Sequence, residues 1–135
     1  MDRRHFVLAC GIAPLLGSCV RYHFVPGVVE SGRVVVPRTA FAGFPYALVE
    51  VPGLRFPIFV HQSAPGEFSA VLTRCMHRGC TVEPGDGRLV CPCHGSEYSH
   101  LGEVLKGPTE RGLIRFPVQV DERNVHILDV QRGAA

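Results

Sequence analysis

Residues 75–98 read CMHRGCTVEPGDGRLVCPCHGSEY, and the rest of the chain is arranged around them. Cys75-x-His77 and Cys91-x-x-His94 offer two thiolates and two imidazoles from two short segments. That donor set is a metal site by composition. Zinc accepts two Cys and two His, but its usual fingers open with Cys pairs two to four residues apart, and here each half mixes one Cys with one His. A mixed pairing suits a two-iron cluster. In a [2Fe-2S] centre one iron can take both thiolates and the other both imidazoles, which raises the reduction potential above that of an all-Cys cluster. A structural zinc module without redox work is the competing reading of the same residues.

The run CPCHGSEY at 91–98, together with CMHRGC at 75–80, closely resembles the Rieske iron-sulfur proteins. The likeness is to the high-potential group found in cytochrome bc complexes and in the small subunit of arsenite oxidase. The resemblance implies that Cys75 and Cys91 bind the inner iron of one [2Fe-2S] cluster and that His77 and His94 bind the outer one. It implies a disulfide between Cys80 and Cys93, the pair that separates the high-potential group from the ferredoxins of ring dioxygenases. It also gives roles to two hydroxyls. Ser96 would donate to a bridging sulfide and Tyr98 to the Cys75 sulfur, both favouring the reduced cluster. Gly107-Pro108 matches a loop that covers the cluster in such proteins.

The fold class expected is all-β. No long run shows sustained helical spacing, and 15 glycines and 11 prolines punctuate the chain throughout. Strands are expected over 33–36, 46–51, 56–62, 67–73, 113–120 and 125–128, with ALVEV and EFSAVLT read as strands carrying one buried face. Between the cluster segments, TVEPGDGRLV reads as a hairpin turning at residues 84–87. The resemblance implies stacked antiparallel sheets with a cluster-binding subdomain, residues 74–110, at one tip of a domain spanning 33–130. His61 is read as structural or solvent-facing, and His126 as outward-facing.

The first residues follow a different logic. MDRRHFVLACGIAPLLGSC has a charged head, an apolar run and small residues before Cys19, so residues 1–18 read as an export signal. Arg3-Arg4 followed by Phe6 resembles the twin-arginine address for folded cargo, and Leu16-Gly17-Ser18-Cys19 resembles a lipobox. Cys19 is then a lipid-modified anchor, the other reading being a plain signal or an uncleaved apolar anchor with an incidental cysteine, and residues 19–32 are a tether. The apolar run is shorter than the roughly 20 residues of a spanning helix. These readings place the domain on the periplasmic side of a bacterial membrane.

Function follows from the donor set. An imidazole bound to ferric iron is a stronger acid than one bound to ferrous iron, so electron uptake at such a centre can be linked to proton uptake. The expected activity is one-electron transfer, as a membrane-tethered carrier or as the small iron-sulfur subunit of an exported respiratory oxidoreductase. The alternative is the Rieske subunit of a quinol-oxidising cytochrome bc complex. Expected partners are a cytochrome or a large oxidoreductase subunit, and quinol in the alternative. A net charge of +2 without a basic stripe argues against nucleic acid. Arg78, charged where the bc subunits usually carry leucine, favours a polar or acidic docking surface, because burying an unpaired guanidinium is costly.

Overall fold

The computed structural model describes residues 21–134. The export signal and Cys19 lie outside the described residues. The strands are β1 (Phe24–Pro26), β2 (Val28–Glu30), β3 (Arg33–Pro37), β4 (Tyr46–Glu50), β5 (Ile58–Ala64), β6 (Glu67–Leu72), β7 (Glu83–Gly85) and β8 (Arg88–Val90). They continue with β9 (Glu97–Tyr98), β10 (Val104–Lys106), β11 (Arg115–Phe116), β12 (Val118–Val120) and β13 (Asn124–Ile127). Short 3₁₀ turns cover Arg38–Phe41 and Val130–Ala134.

Three sheets result, ordered β1-β4-β5-β6-β11, β12-β13-β3-β2 and β10-β9-β8-β7. The first two are packed face to face as the base; the third is the cluster subdomain. Among the described residues, β1 with β4 is the one parallel pairing, and the others are antiparallel.

The five-stranded sheet is the middle layer of the molecule. On one face Ala47, Val49, Ile58, Val60, Ala70 and Leu72 meet Val34, Val36, Val125 and Ile127 of the other base sheet. On the opposite face Leu48, Phe59 and Val71 meet Val82, Leu89, Tyr98 and the two free cysteines of the cluster subdomain. The expectation of one buried face is therefore corrected for β4 and β6, whose centres are buried on both sides. Their near-continuous apolar runs, ALV and AVL, are the signature of a strand covered on both faces. Each fully buried Val, Leu, Ile or Phe contributes about 1.5–3 kcal/mol. The cluster subdomain is thus fastened to the base by the same strands that hold the base together.

Residues 24–30, read from sequence as part of a tether, are built into the base instead. β1 joins the central sheet beside β4 and β2 joins the second sheet beside β3, with Gly27 at the crossing. Gly27 N–H donates to the Glu50 carbonyl at 2.8 Å. A Cβ there would lie 2.7 Å from Val34 and 2.8 Å from Val49, so only glycine lets the chain pass between the two sheets.

The hairpin between the cluster segments forms as expected. Asp86 and Gly87, both at positive φ, make the two-residue turn that suits the twist of β7 and β8. At the far end of the base, Asp121 organises the turn before β13, accepting from the Arg123 and Asn124 N–H groups and pairing with His126 Nε2 at 2.7 Å. His126 is half-buried against this carboxylate, a closer engagement than the outward-facing position read from sequence.

Candidate metal centre

Two six-residue loops at the tip, 75–80 and 91–96, share one backbone design. In each, the first residue's N–H donates to the sixth residue's carbonyl: Cys75 to Cys80 at 2.7 Å, and Cys91 to Ser96 at 2.8 Å. In each, the fifth residue is a glycine at positive φ whose N–H returns to the first carbonyl: Gly79 to Cys75, and Gly95 to Cys91. The tight turn requires a left-handed residue, which is why CMHRG and CPCHG both place Gly fifth. The consequence is chemical. The third and fourth N–H groups of each loop point at its own cysteine sulfur: His77 and Arg78 at Cys75, Cys93 and His94 at Cys91. Two such nests of N–H dipoles favour two thiolates.

The sulfurs of Cys75 and Cys91 are buried and adjacent to one another. Burial opposes charge on Cys75, but the Tyr98 hydroxyl and the loop N–H groups outweigh it and pull the thiol down. Burial dominates at Cys91 and pushes its thiol up. The Tyr98 hydroxyl lies 3.3 Å from Cys75 Sγ and accepts the Met76 N–H at 3.3 Å. Burial first, then the bond to Cys75, raises its own pKa, so it stays protonated and donates to the sulfur.

The two histidines leave the loops on the outer side. Their ring centroids are 4.9 Å apart with planes at 86°. His94 is exposed and His77 half-buried, and His77 Nδ1 is buried with no hydrogen-bond partner. A buried ring nitrogen without a partner is costly in a finished protein and is the state expected of a metal donor. The residues present therefore fit a mixed-ligand [2Fe-2S] group, with two thiolates inside and two imidazoles outside.

Cys80 and Cys93 are joined, with a Cα–Cα distance of 6.5 Å and a sequence separation of 13. Their sulfurs and that of Cys91 lie within 4.8 Å of one another, but a disulfide supplies no thiolate, so this trio is not the donor set. The bridge instead ties loop to loop directly beside the Cys91 sulfur. A loop of this length is worth about 3 kcal/mol by the chain-entropy relation.

The loops are anchored from below. Thr73, fully buried, donates its hydroxyl to the Pro57 carbonyl at 2.7 Å and accepts the Val82 N–H on its own carbonyl. A third loop, after β10, comes over the side of the site. Thr109 N–H donates to Ser96 Oγ at 3.1 Å, and Met76, His77, Pro108 and Thr109 border one groove. Pro108 borders this groove on the same side as His77. Ser96 is completely buried, and because its oxygen already accepts from Thr109, its proton is available to an acceptor inside the loops. Thr109 was missed in the sequence. Its only signal there is adjacency to Gly107-Pro108.

Arg78 is exposed next to His77 and lines a polar cleft with Arg55 and Arg74. His61 is neither a member of this site nor simply solvent-facing; its ring stacks on Phe59 and packs against His100.

Comparison with known proteins agrees with this geometry. The family model described as the Rieske [2Fe-2S] domain matches residues 37–117. The crystal structure of the cyanobacterial plasma membrane Rieske protein PetC3 from Synechocystis PCC 6803 superposes with a TM-score of 0.60 at 32% identity, covering 74% of this chain and 98% of that one. A naphthalene 1,2-dioxygenase shares the fold, with a TM-score of 0.52 at 21% identity over 64% of this chain and 23% of its own. The cytochrome b6-f complex iron-sulfur subunit of Prochlorococcus marinus (strain MIT 9303) is 40% identical over 55 residues, which are 39% of this chain and 31% of that subunit. That of Synechococcus sp. (strain JA-3-3Ab) is 43% identical over 53 residues, 38% of this chain and 31% of its own. The match therefore spans about a third of the length of these curated relatives.

Proposed function

The chain belongs to the Rieske [2Fe-2S] domain family, and from that premise we propose that it is a one-electron carrier whose cluster is held by Cys75, Cys91, His77 and His94. The cluster, when bound, supplies storage and release of one electron at high potential. The chain's own residues do the rest. Cys75 and Cys91, each in its N–H nest, would hold one iron, and His77 and His94, toward the exposed rim, would hold the other. Tyr98 and Ser96 aim hydroxyl protons at the sulfurs and so favour the reduced state. The Cys80–Cys93 bridge, the mark of the high-potential type, keeps the two loops in register.

The observation that carries this reading is the pair of matching loops with perpendicular imidazoles at their exposed rim. Purified protein, once reduced, is expected to show the rhombic EPR spectrum of a mixed-ligand cluster, with an average g value below that of all-Cys clusters. A colourless, zinc-containing preparation would support the structural-module reading instead.

The carrier is proposed to work as a membrane-tethered protein or as the small subunit of an exported oxidoreductase. The likeness to a plasma membrane Rieske protein supports this, as does Arg78, whose exposed charge suits a polar or acidic partner better than an apolar crater. Residues 1–18 are proposed to be an export signal and Cys19 the lipid anchor. No helix among the described residues is long and apolar enough to cross a membrane. The alternative, a subunit of a quinol-oxidising complex, is supported by the identity to cytochrome b6-f subunits over the cluster segment. Decylplastoquinol oxidation by a membrane preparation with and without this chain separates the two.

A further inference from the structure

Beside the first cluster loop lies a cleft of about 460 Å³ whose charge is of one sign. Arg55, Arg74 and Arg78 line it, and among the described residues no Asp or Glu does. The three come from different places in the chain. Arg55 belongs to the connection between β4 and β5, and Arg78 to the loop that carries His77. Arg74 pairs with Thr81 across the base of that loop.

Each arginine is held in position. Arg55 is exposed, and its guanidinium carbon lies 5.5 Å from the centre of the buried Phe56 ring, a cation–π contact that steadies a long side chain. Arg78 is exposed on a loop fixed by two backbone hydrogen bonds and by the Cys80–Cys93 bridge. Arg74 is half-buried, with its Nε 3.7 Å from where a Cβ on Gly79 would lie. Neither Arg55 nor Arg78 pairs with a carboxylate among the described residues.

The chemistry of the cleft narrows what fits it. A small anion is commonly held by backbone N–H groups turned toward it. Here the His77 and Arg78 N–H groups are turned to the Cys75 sulfur instead. What remains for a visitor is guanidinium groups on side chains, and a planar guanidinium matches a carboxylate through two parallel hydrogen bonds. Arg78 also adjoins His77, whose ring meets that of His94 at the exposed rim. A protein that covers this rim to exchange an electron therefore lays its edge over the cleft.

We propose that Arg55 and Arg78, with Arg74 deeper in the same cleft, dock a carboxylate-bearing patch of an acidic redox protein, whose own redox centre then faces His77 and His94. The proposal rests on the one-electron carrier reading and names the chemistry of the partner. Charges at the rim of such a contact act mainly on encounter, by steering. Their effect fades as the screening length shortens from about 30 Å at 0.01 M salt to about 8 Å at 0.15 M.

The test is stopped-flow electron transfer from the reduced holoprotein to two acceptors, an acidic plastocyanin and a basic cytochrome c, at both salt concentrations. The readout is the ratio of the two rates, because a changed midpoint potential in a variant moves both in the same direction. Wild type is expected to favour the acidic acceptor and to lose much of that preference at the higher salt. Arg55→Gln and Arg78→Gln are each expected to lower the ratio about two- to fivefold at low salt, the reach of one exposed ion pair, and the double variant lowers it further. Arg123→Gln removes the same charge at the far turn of the base and leaves the ratio unchanged. A ratio untouched in both cleft variants, one lowered equally by Arg123→Gln, or a wild-type preference for the basic acceptor overturns the proposal. A reduced protein without the EPR signal of a mixed-ligand cluster overturns the carrier reading beneath it, and the proposal with it.

Discussion

Replacing Tyr98 by Phe removes one hydroxyl and keeps the ring that fills the centre of the cluster subdomain. The residue is fully buried, packed with Leu89, Val82 and Phe59, so the apolar contacts survive the change. What is lost is the proton directed at Cys75 Sγ from 3.3 Å and the acceptor for the Met76 N–H. A hydrogen bond to a charged group is worth about 1.5–3 kcal/mol, and stranding the Met76 N–H costs about 1–3 kcal/mol of stability. Only the part that differs between redox states moves the potential. The sulfur carries more negative charge when the cluster is reduced; taking about half of the bond as state-dependent gives about 0.75–1.5 kcal/mol. At 59 mV per tenfold for one electron, that lowers the midpoint by about 30–65 mV. Redox titration monitored by circular dichroism or EPR reads it directly. A midpoint within about 10 mV of wild type, or one that rises, would refute the role assigned to the hydroxyl.

Ser96→Ala is expected to lower the midpoint as well and to loosen the third loop, because Thr109 N–H loses its acceptor; unchanged protection of that amide in hydrogen exchange would contradict the latch. Cys80→Ala with Cys93→Ala should reduce stability by about 3 kcal/mol, seen as cluster loss at lower urea concentration, and an unshifted midpoint would argue that other contacts align the loops. Gly27→Ala puts a methyl within 2.8 Å of Val34 and Val49 and is expected to cost about 1–3 kcal/mol by overpacking, checked by thermal unfolding. At the far turn, the pairing with His126 and the Asn124 and Arg123 N–H groups holds Asp121 down to about 2, from an ordinary 3.8. A carboxylate with a depressed folded pKa contributes stability that is present above its unfolded pKa and is lost as pH falls from about 4 toward about 2. Asp121→Asn should flatten that part of the acid unfolding profile, and an identical profile would show that the turn does not report on stability.

The site was more legible than the scaffold that carries it. Cys75, His77, Cys91 and His94 stand out because metal ligation demands particular donors at short, fixed spacings, and Gly79 and Gly95 mark the turns that present them. The hairpin was readable too, since Asp86-Gly87 is a combination that few other structures use. Strand pairing across long distances leaves no comparable trace. Nothing local in VPGVV says that β1 and β2 will join two different sheets, because that outcome depends on Val34 and Val49 leaving room for Gly27 alone. The burial of β4 and β6 on both faces was concealed for the same reason: ALVEV places Glu50 outward, while Leu48 is covered only once the cluster subdomain folds back over it. Thr109 and the His61–His100 pair share this character, being brought together by tertiary contacts between residues remote in sequence.

The claim beneath all of this is that two thiolates and two imidazoles of this chain share two irons. Hyperfine spectroscopy on the reduced protein, grown with ¹⁵N-labelled histidine and compared with unlabelled protein, tests it at the atoms concerned. Two strongly coupled histidine nitrogens are expected, with both couplings changing on labelling and the centre lost when His77 or His94 is replaced by Ala. A cluster signal without any histidine nitrogen coupling, or one that survives intact in the His94→Ala protein, would contradict the account.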